Sequence, residues 1–201
     1  MKDRGSIHLA VLGAIALFFV ACGIWAVSTY NGLVARNEDV SKTWATVESQ
    51  YQRRMDLIPN LVETVKGSAK FEKSTLTAVV EARARAGAVT VDRKTLDDPA
   101  AFKKFEDAQA GLSTALSRLL VTVERYPDIK STEAYRDLLV QLEGTENRIQ
   151  VARKDYNDVA QGYNTAIKVF PDSLVAAYGR FTERPYFEAA PAAATAPAVK
   201  F

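Results

Sequence analysis

The residues with the most chemistry to offer stand in three short runs. The first is Arg53-Arg54-Met55-Asp56-Leu57-Ile58-Pro59-Asn60-Leu61-Val62, followed directly by Glu63. Guanidinium groups beside Asp56, Asn60 and Glu63 could hold a small ligand or a protein partner at one end of a helix pair. The competing reading is a solvated polar face at a helix end. The second run is Glu143 and Glu146, whose spacing puts two carboxylates on one helical face. Arg136, Arg148 and Arg153 lie near them in sequence, so the ordinary reading is a charged surface network with small pairwise energies. The third run repeats at seven residues: Tyr156-Asn157 and Tyr163-Asn164. Both tyrosines fall on an apolar seam with the asparagines beside it. They read as polar residues that set helix register, the alternative being a polar groove for a ligand or partner.

Signs of catalysis are sparse. His8 is the only histidine and precedes a long apolar stretch, and Cys22 is the only cysteine. A thiolate zinc cluster, an internal disulfide and a histidine–carboxylate metal site in the body are all excluded. No phosphate-binding glycine loop, nucleophile elbow or kinase HRD or DFG motif occurs. The reading is therefore a non-enzyme with no cofactor. A formal charge of +2 with no dense basic run gives no case for nucleic acid.

The elements that position these runs are helices. Apolar residues recur at alternating three and four spacing in four series. The first is Leu33, Asn37, Val40, Trp44, Val47 and Tyr51. The second is Leu57, Leu61, Val65, then Leu76 with Val79 or Val80. The third is Phe102, Phe105, Gln109, Leu112, Leu116, Leu119, Val123 and Tyr126. The fourth runs from Tyr135 through Leu142, Thr145, Ile149, Ala152, Tyr156 and Tyr163 to Phe170. No stretch of period two argues for a strand. Gly87 can close the second helix, Asp98 with Pro99 opens the third and Pro127 follows its end. Ser131 with Glu133 opens the fourth, Pro171 stops it, and Asp172 or Ser173 can cap one short helix.

Three readings of the proline run remain. In the favoured one, helix one ends near Arg54, Asp56 caps helix two and Pro59 sits in its first turn, where its missing N–H costs nothing. In the second, one helix continues through and kinks at Pro59, an interior proline costing roughly 3 kcal/mol. In the third, the segment is an irregular ligand loop.

Residues 9–29 form the candidate membrane anchor, after a short segment 1–8. No charged side chain lies from Leu9 to Val27. About 20 apolar residues cover a hydrocarbon core of ~30 Å. Trp25 and Tyr30 suit a membrane interface. A cleaved signal peptide, and a lipoprotein signal at Phe19-Val20-Ala21-Cys22-Gly23, are the alternatives to an uncleaved span. Lys2 and Arg4 precede the span, whereas Arg36 and Lys42 beyond it are diluted by Glu38 and Asp39. This leans towards an extracytoplasmic body. The expected fold is all-α: an antiparallel up-down four-helix bundle over 30–188, its first helix continuous with the anchor. Arg180 to Phe187 then lie near the bilayer, and the Ala/Pro-rich tail 189–201 reads as disordered.

The sequence resembles the LemA family of bacterial membrane proteins from about Tyr30 to Ala189. The matching runs are YNGLV (Tyr30 to Val34), Trp44, QYQRRMDLIPNLVETVKGSAKFE (Gln50 to Glu72) and EARA (Glu81 to Ala84). They continue with LEGTENRIQVARKDYNDVAQGYN (Leu142 to Asn164), FPDSLVA (Phe170 to Ala176), PYFEA and the closing PAVKF. Ser68-Ala69-Lys70-Phe71 departs from the family's usual aromatic and histidine. The resemblance implies a helical bundle tethered to the bacterial inner membrane by one N-terminal span. It also implies a part in cell-envelope organisation and membrane-bound partners, such as TPM-domain proteins. The leading functional expectation is a membrane-anchored scaffold or adaptor. A ligand-binding sensor using the Arg53–Glu63 tip and a membrane-shaping protein are the alternatives.

Overall fold

In a computed structural model, residues 3–67, 71–89 and 93–188 are described. The Ala/Pro-rich tail and Ser68-Ala69-Lys70 lie outside the described residues. All regular structure among the described residues is helical. The helices are α1 (Asp3–Lys66), α2 (Lys73–Ala88), α3 (Pro99–Val123), α4 (Pro127–Lys130), α5 (Glu133–Lys168) and α6 (Asp172–Tyr178), with one 3-10 turn at Arg93–Leu96.

The favoured reading of the proline run is overturned. A single helix of 64 residues passes through Arg54, Asp56 and Pro59 without ending, about 96 Å long at ~1.5 Å per residue. An interior proline deprives the carbonyl four residues earlier of its N–H partner. That carbonyl belongs to Met55, and Arg83 of α2 donates its Nε–H to it at 3.0 Å. The carbonyl that Pro59 leaves without a helical partner is thus satisfied from α2.

Other local expectations are also revised. Asp98 caps α3 as expected, accepting from the Ala100 N–H at 2.9 Å, with Pro99 at the first helical position. By contrast α2 runs past Gly87 to Ala88. The absent side chain at Gly87 instead admits Met55 of α1, whose Cε would stand 3.1 Å from a Cβ there. Pro127 opens the short α4. Thr132, not Ser131, caps α5 through the Tyr135 N–H. Pro171 stands at the start of α6, where neither Asp172 nor Ser173 makes a side-chain cap.

Packing follows the seams. α1 lies along α5, α2 along α3, and α6 touches both α5 and α1. Trp44 meets Tyr156 and Arg54 meets Glu146, so partners on α5 fall in number as α1 rises. Two buried clusters result. One gathers Leu33, Val40, Trp44, Val47 and Tyr51 of α1 with Phe102, Phe105, Tyr156, Tyr163 and Phe187. The other gathers Ile58, Leu61, Val62 and Val65 of α1 with Val79, Leu112, Leu116, Leu119 and Leu142. Residues 181–188 have no regular secondary structure and run beside α5. Before Leu33, the apolar part of α1 packs on almost nothing: Leu9, Leu17, Phe18, Phe19 and Ile24 are each at least 64% exposed.

Candidate functional site

The two buried clusters change over at one level on three helices. On α1 the change falls between Tyr51 and Ile58, on α3 between Phe105 and Leu112, and on α5 between Leu142 and Ile149. The side chains at that level are polar. Arg54, Gln109 and Thr145 are all buried, Arg54 to 1% exposure. Arg54 Nη1 donates to Ser113 Oγ and to Glu146 Oε1, both at 2.8 Å. Its Nη2 donates to the Gln109 side-chain oxygen and, at 3.4 Å, to the Gln109 carbonyl. The guanidinium also lies 5.0 Å from the Tyr51 ring centroid. A buried cation demands a counter-charge and several acceptors, and this layer provides both. Thr145 turns its hydroxyl back to the Gln141 carbonyl at 2.7 Å.

The expected tip is thereby dispersed. Arg54 points into the body, while Arg53, Asp56, Asn60 and Glu63 are exposed along α1. Asp56 accepts from Gln52 Nε2 at 2.7 Å and Glu63 pairs with Lys66 at 3.3 Å, both within the helix. Glu146 is no member of a surface network on its own helix, since its partner is Arg54 of α1. Arg153 pairs with Glu106 of α3 and donates to the Glu188 carbonyl at 2.8 Å. Burial raises the Glu106 carboxyl above the usual range, opposed by the Glu188 N–H and by Arg153. Over the Arg54 layer, α3 and α5 stand apart and leave a groove of about 420 Å³ edged by Ser113, Ser117, Glu143, Glu146, Asn147 and Gln150.

The tyrosine–asparagine repeat meets extended chain rather than another helix. Asn164 Nδ2 donates to the Arg184 carbonyl and its Oδ1 accepts the Arg184 N–H, both at 2.8 Å. Asn157 does the same to Phe187, at 3.0 and 2.9 Å. Tyr156 and Tyr163 donate their hydroxyls to the carbonyls of Pro185 and Thr182, each at 3.0 Å. The spacing explains the fit: seven helical residues rise ~10.5 Å and three extended residues span ~10 Å. Each pair therefore repeats its contact one heptad down α5 and three residues back along the strap. Side chains add selectivity. Phe187 stacks on Trp44 with centroids 5.9 Å apart, and Arg184 bonds Asn37 Oδ1 and pairs with Asp97. Burial pushes the Tyr156 and Tyr163 phenols above the ordinary tyrosine range, with Arg184 acting in the opposite direction at both.

Trp25 and Tyr30 are 38% and 43% exposed on α1, and Tyr30 packs edge-on against Phe181 at 5.5 Å. The segment Arg180 to Phe187 starts at this level and climbs away to Trp44, so its far end is not at the level of the apolar stretch. No group of three or more His, Cys, Asp or Glu side chains poised for a metal occurs among the described residues. Sequence reasoning missed Gln109 and Ser113 as partners of Arg54, Arg83 as partner of Met55, and Arg184. The apolar seam carried one hint, a glutamine and a threonine at core positions.

An apolar, uncovered helix that continues as a core helix of a helical body, with a non-helical strap clasped beside it, defines a class of membrane-associated helical proteins. The chain belongs to the LemA family, whose model matches residues 43–201. It is similar to magnetosome protein MamQ 1 of Paramagnetospirillum magneticum, 29% identical over 96% of this chain and 76% of that protein. MamQ of Magnetospirillum gryphiswaldense is likewise 29% identical, with the same coverage. Protein LemA of Metamycoplasma hominis is 23% identical over 81% of this chain and 71% of its own length.

Proposed function

We propose that this protein is a non-catalytic, membrane-anchored scaffold or adaptor of the bacterial cell envelope. The observation that carries the reading is the unbroken α1. Its first part is long and apolar enough to cross a membrane and is uncovered, and its second part is a core element of the body. α1, α2, α3 and α5 then form an up-and-down four-helix body held rigidly at the surface of the inner membrane, outside the cytoplasm. Relatives named as magnetosome proteins come from bacteria, which supports the bacterial setting of this reading. The partners are membrane-bound proteins, of the TPM-domain type by family context. Affinity purification of the full chain from detergent extract tests this, with an unrelated anchored helical protein as control. Specific enrichment of membrane proteins is expected, and a profile equal to the control's would reject the reading. Reporter fusions at the C-terminus test the side of the membrane.

A second reading is favoured by the groove over the Arg54 layer: a module that senses a small polar envelope molecule. Thermal-shift screening tests it, with Asn147→Ala and Glu143→Ala as groove variants. Loss of a shift in those variants supports the reading, and the absence of any shift in the native protein removes it.

A further inference from the structure

Exposed large apolar side chains are distributed unevenly. On the flanks of the body they are single valines: Val80, Val121, Val140 and Val151. Such isolated residues are ordinary on a protein surface. At the end of α5 and on α6 they gather: Phe170 is 75% exposed, Leu174 61% and Tyr178 91%. These three lie four residues apart in sequence. Phe170 was expected on the buried seam of α5, yet the seam ends at Ile167 and Phe170 faces out. The orientation of α6 is set by Ala176, which is 3% exposed in the core. Two residues to either side lie ~200° round a helix, so Leu174 and Tyr178 face away from the body.

The position of this patch along α1 is fixed by contact. Leu174, Val175 and Tyr178 share an almost wholly apolar cleft with Ala26, Val27 and Tyr30. Val27 closes the apolar run, the polar Ser28-Thr29-Tyr30-Asn31 follows it, and Tyr30 lies ~4.5 Å of helix rise beyond Val27. The patch therefore sits level with the boundary between hydrocarbon and headgroups, where aromatic residues with one polar end are favoured.

We propose that Phe170, Leu174 and Tyr178 form a second membrane contact, seated in the outer edge of the bilayer that α1 crosses. The occupant of the patch is lipid, and continuity with the span argues for it. The body then touches the membrane at two places, the span and α6, and cannot swing freely about Tyr30. Charge contributes little: Lys168 is paired with Glu183 at 2.7 Å, and Asp172 and Arg180 flank α6 with opposite sign. Contact should therefore be equal in zwitterionic vesicles and in vesicles containing anionic lipid.

The inference rests on the anchor reading, and the experiment separates the two. The full chain carrying Cys22→Ala is given one cysteine at a time, as Ile24→Cys, Leu174→Cys, Tyr178→Cys or Val140→Cys. Each is labelled with a polarity-sensitive fluorophore and reconstituted into phosphatidylcholine vesicles. Quenching is read with nitroxide-bearing lipid and with a water-soluble quencher. Labels at 174 and 178 are expected to lose most of their emission to lipid nitroxides placed near the headgroup, whereas the label at 140 responds to the aqueous quencher alone. Lipid quenching at 24 with none at 174 and 178 overturns the inference and leaves the anchor intact. Silence at 24 as well overturns both. Shielding of 174 and 178 from water without lipid quenching means that protein, such as a second copy of this chain, covers the patch, and also overturns it.

Discussion

The half of the body nearer the apolar stretch and the half farther from it are built from different side chains. The nearer core is a ring cluster: Trp44 lies within 5.9 Å, centroid to centroid, of Phe102, Phe105, Tyr156 and Phe187. The farther core is mainly aliphatic, with Ile58, Leu61, Val65, Leu112, Leu116 and Leu119. The nearer core includes a ring from the non-helical strap, Phe187, whereas the farther one is closed by helices and Phe71 at the α2 approach. Flat rings leave a slot that an extended segment can fill, and the asparagines of α5 hold the segment there by its backbone. Aliphatic residues at seam spacing interdigitate without such a filler. The Arg54 layer divides the two regimes. Because the two terminal nitrogens of the buried guanidinium reach acceptors on α3 and α5 together in one alignment, with Nε left unpaired, the layer also favours one setting of the helices against one another.

This contrast can be broken or sharpened by substitution in the intact chain, with stability read by denaturant unfolding. Trp44→Ala should cost about 4 kcal/mol and should release the strap as well, because it removes the platform under Phe187. A comparable loss with the strap still protected from hydrogen exchange would show the nearer core to be self-closing. Arg54→Ala should cost about 3 kcal/mol by emptying a buried site and leaving the buried Gln109 side chain unpaired, whereas Glu146, 36% exposed, is rehydrated. Arg54→Met with Gln109→Leu should recover most of that loss, while helix register, read by crosslinking between α1 and α5, becomes less unique. Asn164→Ala should cost about 2 kcal/mol, as two backbone bonds are lost, and exchange should accelerate at Arg184 but not in α2 or α3.

The farther half gives a smaller effect. Arg83→Ala should cost about 1 kcal/mol by orphaning the Met55 carbonyl. In a Pro59→Ala background the backbone N–H returns, so the cost of losing Arg83 should largely vanish, a coupling that a double-mutant cycle reads directly. The last effect is absent at neutral pH. The Tyr51, Tyr156 and Tyr163 phenols are raised by burial, all in the nearer core. The unfolded chain therefore loses phenolic protons above pH ~10 while the folded chain keeps them, and stability falls as pH rises past that point. Tyr156→Phe should flatten this alkaline slope, and Tyr135→Phe in the farther core should flatten it less.

Much of the all-helical character was legible because seam spacing and Asp98-Pro99 are local signals. Leu33, Val40, Trp44 and Val47 are buried as their spacing implied. What sequence could not show were partners distant along the chain. Pro59 looked like a helix start because its compensating donor, Arg83, sits on another helix. Asn157 and Asn164 looked like register residues because nothing in PYFE marks a segment that will be gripped by its backbone. Ser131 and Thr132 are chemically equivalent caps, and only the path of the chain chose between them. The Arg54 cluster was misplaced for the same reason as Pro59: once the helix was assumed to end there, a core arginine became a tip arginine.

The unbroken α1 has a mechanical consequence. The helix is unbroken from Val27 to Lys66, so with its apolar part in a bilayer it would act as a lever with its fulcrum at the membrane surface. The arm beyond that fulcrum is about 58 Å, and a tilt of about 10° displaces its end by about 10 Å. In the proposed anchored arrangement, a change of bilayer thickness or curvature that tilts span and body together would be magnified at the far end of the body. A partner bound there would be moved by the state of the lipid without any rearrangement inside the protein.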